Sequence, residues 1–232
     1  MKKAPLTFIV FVTVGILSFA QEVDRNYLLG RFKQQEDNRF VKLEDQYTAG
    51  AARGQYLRRE AYDAFKRMAE AARKENVELI IILATRNFEQ QKAIWERKWD
   101  AEASIQNEAD RAKKILLYSS MPGTSRHHWG TDMDLNNLEN SYFESGEGLR
   151  IYTWLINHAG EFGFCQPYTS KENGRTGYEE EKWHWSYTPL SNEFLKTYKQ
   201  SIRHTDIHGF KGADIAATIE VIKLYVDGVS CK

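Results

Sequence analysis

The chain has 232 residues, room for one domain or two small ones and for a core that needs no staples. Charged residues make up 28%, hydrophobic ones 42% and aromatic ones 13%, which excludes a disordered tail or a low-complexity polymer. Lys+Arg 32 against Asp+Glu 32 gives a formal net charge of zero, which argues against a protein that grips nucleic-acid phosphates. Two cysteines, Cys165 and Cys231, cannot build a disulfide framework or a four-thiolate zinc site.

Segment 1–20 opens on Lys2 and Lys3, runs almost without charge through Phe, Ile, Val and Leu, and ends on Ser18 and Ala20 around Phe19. That is the order of a secretory signal peptide. Its apolar stretch is shorter than the roughly 20 residues of a spanning helix, so the reading is export with cleavage near Ala20 rather than an anchor. Segment 24–43 is mixed and polar, a surface arm, and 46–54 is small and flexible. Over 58–75, Ala61, Phe65, Met68, Ala69 and Ala72 recur at spacings of three and four, which predicts an amphipathic helix. VELIIILA at 77–84 reads as a short buried strand. Segment 88–117, dotted with Trp95, Trp99, Ile105 and Ile115, predicts one or two helices. SSMPGTS at 119–125 is turn chemistry, and 127–135 leads into a strand carrying Met133, Asp134 and Leu135. Over 148–162 a helix is expected with Leu149, Tyr152, Leu155, Ile156 and Ala159 on one face, stopping near Gly163. Residues 183–187 alternate as a strand does, and 192–201 and 214–226 predict C-terminal helices. No repeat and no Pro-, Gly- or Ser-rich linker divides the chain, so it reads as one α+β domain.

The chemistry sits in SRHHWGTDMD at 125–134 and EKWHW at 181–185. Two imidazoles and a carboxylate, with a fourth position left for water, are what a catalytic zinc site needs. His127, Asp134 and His184 supply that set, and Gly130 lets the chain fold back between the first two. Glu181, three residues before His184, suits a general base beside the ion. Residues three apart on a regular strand point to opposite faces, so this role needs a bend near Lys182. His128 is expected to point away from the ion, behind the ligands. Asp132 reads as a solvated charge or a partner for Arg126. Trp183 and Trp185 read as core or pocket wall, and Tyr168 and Tyr178 flank a loop that could cover the site. A Cys165–Cys231 disulfide is compatible with export, but nothing in the sequence argues for it.

These residues resemble the VanY-type zinc D-alanyl-D-alanine carboxypeptidases, relatives of the VanX dipeptidases in a superfamily that includes lysostaphin-type peptidases and the Hedgehog signalling domain. The family pattern is Ser-x-His-x-x-Gly-x-Ala-x-Asp, then Glu-x-x-His within Glu-x-Trp-His-Trp. Ser125, His127, Gly130, Asp134, Glu181, Trp183, His184 and Trp185 match it. An Arg after a buried strand with a Gln five residues on is matched by Arg86 and Gln91. Asp132 stands where the family has Ala, and Thr85 and Asn87 replace the Tyr and Ser that flank its Arg.

The resemblance spans roughly 54–189. It implies a small antiparallel sheet carrying the zinc site, flanked by helices, in a domain over 54–232 after a signal peptide (1–20) and an N-terminal arm (21–53). It further implies zinc on His127, Asp134 and His184, with Glu181 as the base. Arg86 would stabilise the oxyanion, and Ser125 and Gln91 would hold the substrate near its terminal carboxylate. The implied partner is a peptidoglycan stem peptide ending in D-Ala-D-Ala, met by an exported monomer in the periplasm or cell envelope, with no nucleic acid involved. Sister readings are an endopeptidase cutting L-Ala-D-Glu or a cross-bridge, or a dipeptidase acting on free D-Ala-D-Ala. A non-catalytic zinc-stabilised wall-binding module needs neither Glu181 nor Arg86. A wall-anchoring protein would carry a repeat, and none is visible.

Overall fold

The computed structural model describes residues 24–231; the expected signal sequence lies outside them. In chain order the regular elements are α1 (Arg25–Leu28), β1 (Phe40–Lys42), β2 (Tyr56–Arg58), α2 (Arg59–Lys74), β3 (Ile81–Leu83), α3 (Phe88–Ala101), α4 (Glu108–Ile115), β4 (Asp132–Leu135), α5 (Gly146–His158), β5 (Phe164–Cys165), β6 (His184–Tyr187) and α6 (Thr188–Ser201). Strands β3, β4, β6 and β5 form, in that order, an antiparallel sheet, and β1 pairs with β2 beside it. The expected α+β class with a small antiparallel sheet is the observed one. Among the described residues no helix is long and apolar enough to cross a membrane.

Side-chain alternation gives the sheet two jobs. Met133, Leu135 and Trp185 point into a core shared with α2 and α5, built on Phe65, Met68, Ile151 and Trp154. Asp132, Asp134, His184 and Ser186 take the other face, because residues two apart on a strand share a side. A second core gathers Trp95 and Trp99 of α3, Ile115 of α4 and Phe194 and Tyr198 of α6 with Tyr27, Leu28 and the chain from Ile202 to Val229. The polar face of the sheet lies between the two cores. Helix α3 starts where Asn87 and Gln90 cap each other's backbone N–H groups in a capping box.

Several expectations need correction. The 24–43 segment is not a surface arm: Tyr27, Leu28, Leu29, Phe40 and Leu43 are buried, and Phe40 lies against Gly130. Gly130 ends the 3-10 turn Arg126–Trp129 in the left-handed region at φ 72°. A Cβ there would meet the Phe40 ring at 2.3 Å, so the motif glycine serves both the turn and the packing beneath it. Only 81–83 of the expected 77–84 strand is paired. On α5 the buried side is Ile151, Trp154 and Leu155, while Leu149 and Ile156 face solvent. Segment 214–226 forms no α-helix. It runs as short 3-10 and π turns with Glu220 at φ 49°, its β-branched Ile215, Ile219 and Val221 spent on irregular packing. A disulfide joins Cys165 of β5 to Cys231.

Candidate active site

Register brings the two motifs together. Asp134 on β4 is paired directly with His184 on β6, so their side chains share the polar face. His127 comes from the 3-10 turn that Gly130 closes, and its ring is steered by Nδ1 at 2.9 Å from the Ala84 carbonyl, which leaves Nε2 toward the cluster. The expected bend before β6 is present: the His184 N–H donates to the Glu181 carbonyl at 3.2 Å. That turn swings Glu181 onto the site, with Oε2 at 3.2 Å from His184 Nδ1.

Ligand-type atoms of His127, Asp134 and His184 all lie within 4.8 Å of one another, a set that could hold a metal ion. Asp134 Oδ1 is 3.2 Å from His184 Nδ1 and 3.5 Å from His127 Nε2, yet it is buried with no hydrogen-bond partner. Such an atom is costly unless something fills the space beside it. His184 Nδ1 faces oxygens of both Asp134 and Glu181. Two carboxylates converging on one ring nitrogen leave negative charge for a cation to neutralise. Two imidazoles with one carboxylate oxygen are the donor chemistry zinc takes, so the residues present fit that ion.

Electrostatics follow burial. Burial raises Glu181 above its ordinary 4.5, with His184 pulling only partly the other way. Burial also disfavours the charged form of Asp134, but the two imidazoles outweigh it and hold this carboxylate well below its usual range. Arg86 projects into the same cavity and is pinned by its Nε donating to Gln91 Oε1 at 2.9 Å. Gln91 is 1% exposed, and its amide nitrogen donates to the Ser120 carbonyl at 2.8 Å. It stands behind Arg86 rather than on the cavity wall. Ser125 lines the cavity with a buried Oγ that has no partner.

The cavity measures about 760 Å³ and is walled by Tyr118, Tyr168, Tyr178 and Trp183, with Arg97 and Lys98 of α3 at one side. The tyrosines read as flanking a covering loop are wall residues, and Tyr168 stacks edge-on to His184 at 4.8 Å. Sequence reasoning missed Arg97 and Lys98. The available signal was helical spacing, since Ile94 and Lys98 follow Gln91 at three and seven residues on one face. His128 does point away from the cluster. It is fully buried, with Nδ1 at 2.7 Å from the Arg86 carbonyl and Nε2 accepting the Gly123 N–H at 3.0 Å. Asp132 is no solvated charge: it is 0% exposed, held by Arg126 as one reading expected, and also contacts His184 Nε2 at 2.9 Å.

The family model described as VanY, D-alanyl-D-alanine carboxypeptidase, matches residues 54–190. Over 135 residues the chain is 36% identical to YodJ of Bacillus subtilis (strain 168), whose name as a carboxypeptidase is provisional; the match covers 57% of this chain and 46% of that one. It is 28% identical over 134 residues to the D-alanyl-D-alanine carboxypeptidase of Enterococcus faecalis (strain ATCC 700802 / V583), covering 57% of this chain and 48% of the other. The chain thus spans about half the length of these curated relatives. Among solved structures, VanYB in complex with D-alanine-D-alanine superposes with a TM-score of 0.53 at 24% identity, covering 74% of this chain and 88% of that one. A mutant of the vancomycin-resistance D,D-pentapeptidase VanY in complex with Zn(II) superposes with a TM-score of 0.52 at 24% identity, covering 74% and 89%. These two likenesses establish a shared fold. With the family model covering more than half of the sequence, and the pattern's ligand-type side chains meeting on one face of the sheet, the chain belongs to the VanY D-alanyl-D-alanine carboxypeptidase family.

Proposed function

We propose that the chain is a zinc-dependent D,D-carboxypeptidase that removes the terminal D-Ala from peptidoglycan stem peptides. The single observation that carries this reading is the convergence of His127, Asp134 and His184 with Glu181 in one walled cavity. Zinc held by those three residues supplies Lewis-acid chemistry, polarising a carbonyl and acidifying water. Glu181, made more basic by burial, takes the proton of the attacking water and later delivers it to the leaving amine. Arg86, locked by Gln91, offers its guanidinium to the oxygen that gains charge. The free Ser125 hydroxyl binds the peptide close to the reacting bond. Arg97 and Lys98 supply positive charge on the cavity wall for the peptide's terminal carboxylate. Tyr168 and Trp183 exclude bulk water, which strengthens each of these interactions.

Export belongs to the same reading. The leader-like 1–20 segment supports it, and so does the Cys165–Cys231 disulfide, a bond that persists in oxidising compartments. The test is mass analysis of muropeptides incubated with the zinc-loaded chain. Loss of one alanine from pentapeptide stems is expected, whereas opened cross-links or cleaved L-Ala-D-Glu bonds would replace this reading with an endopeptidase. Glu181→Gln should keep zinc and lose roughly 10²–10⁴ in turnover; a clean preparation that still turns over would remove the base assignment.

A further inference from the structure

Asp132 is the one position in the metal motif where this chain departs from the family's alanine, and it sits at the centre of a closed polar network. Its Oδ1 accepts from Thr131 Oγ1 at 2.7 Å and from Ser186 Oγ at 2.8 Å. Its Oδ2 accepts from Arg126 Nε at 2.9 Å and from His184 Nε2 at 2.9 Å. Two oxygens with four donors fill every acceptor site a carboxylate has. All members are buried, and Asp132 is 0% exposed. The carboxylate therefore cannot turn, and whatever it holds is held in one orientation.

What it holds is the ring edge opposite the metal cluster. A carboxylate only accepts, so Nε2 carries a proton toward Asp132, and a cation held between Asp134 and Glu181 would take Nδ1 and leave the Nε2–H tautomer. Charge pairing with Arg126 does not explain this arrangement. A buried ion pair is poor value for stability, and Arg126, which donates to Asp132 and to Ser186 Oγ, makes those bonds without the contact to His184. The register that pairs Asp132 with Ser186 and Asp134 with His184 places a second carboxylate two residues before the ligand, on the same face.

We propose that Asp132 is a positioning residue for the metal: it holds His184 with Nε2–H toward itself and so presents Nδ1 beside Asp134. The proposal rests on the cluster holding zinc. His127 is held the opposite way, through Nδ1 on the Ala84 carbonyl. The two imidazoles thus offer different nitrogens, each chosen by the acceptor behind it.

Zinc affinity measured by chelator competition tests this without reference to turnover. Asp132→Ala, the family's own residue, should weaken zinc binding by about 10–100-fold. Because that variant leaves Arg126 buried and unpaired, the double variant Asp132→Ala with Arg126→Met removes both charges and should lose the same affinity. Arg126→Met alone, which keeps the carboxylate on the ring, should stay within about threefold of the parent. A folded double variant that binds zinc as tightly as the parent overturns the proposal. So does Arg126→Met losing as much as Asp132→Ala, since pairing would then be the whole role. Ring-nitrogen NMR of the histidine-labelled, zinc-loaded parent decides even if the variants fail to fold. One ligand imidazole should carry its proton on Nε2 and one on Nδ1; two of the Nδ1–H type refute the assignment to Asp132. A parent that binds no zinc refutes the metal reading itself, an outcome distinct from all of these.

Discussion

His128 is buried as a neutral ring, so acid acts on it through the unfolded chain. Unfolded, it takes a proton near 6.5; in the fold, burial first and then the Arg86 guanidinium and His127 push that down to about 3. Between these values the unfolded chain binds more protons, so stability is fully present above 6.5 and is lost as pH falls through the window toward 3. At about pH 5 the ring is 1.5 units below its unfolded value; at roughly 1.4 kcal/mol per unit the loss is about 2 kcal/mol. The perturbation is His128→Gln, whose amide can still bridge the Arg86 carbonyl and the Gly123 N–H but does not titrate. Urea unfolding of parent and variant at about pH 7 and about pH 5, both with chelator present, isolates the term. The parent should lose about 2 kcal/mol more than the variant across that interval. Equal losses in the two proteins would refute the reasoning, because the ring would then be charging inside the fold.

Three further outcomes follow from the site and its frame. Arg86→Met should lower kcat by roughly 10²–10³ with little change in KM, read from D-Ala release, since in the proposed mechanism the guanidinium meets charge that appears only in the transition state. Lys98→Met should do the reverse, raising KM by roughly tenfold or more while kcat holds, because a carboxylate partner is bound equally before and during reaction. Reducing Cys165–Cys231, which closes a loop of sequence separation 66, should cost about 4 kcal/mol on the chain-entropy account, seen as a lower denaturant midpoint.

Much of the site can be read from the chain alone because its chemistry is local. His127 and Asp134 share one ten-residue stretch, and Glu181 and His184 share another. What the spacing leaves open, the backbone answers through a single turn at Glu181 that puts the side chains of Glu181 and His184 on one side. The contacts of Asp132 were only half visible. A partner six residues away, Arg126, is within reach of inspection, but the His184 contact exists only once the β4–β6 register is known. The Gln91 carbonyl oxygen and the His128 ring both serve Arg86, and neither role has a periodic signal. Segment 24–43 misled because its average polarity hides five large apolar side chains, Tyr27, Leu28, Leu29, Phe40 and Leu43, that all turn inward. Segment 214–226 misled differently, since its composition permits a helix and its packing against Tyr178 and Tyr198 takes irregular turns instead.

The burial of Phe40 under Gly130 has a practical side. Residues 54–190 carry the family's signature, yet side chains from both flanks pack into the cores around them. Trimmed to those limits, the molecule would lose Phe40 from beneath the His127 turn, and it would lose Phe194, Tyr198 and Val226 from the core that also holds Tyr168 and Tyr178. Recombinant shortening or domain grafting should therefore keep both flanks, since each supplies side chains to the packing behind the cleft.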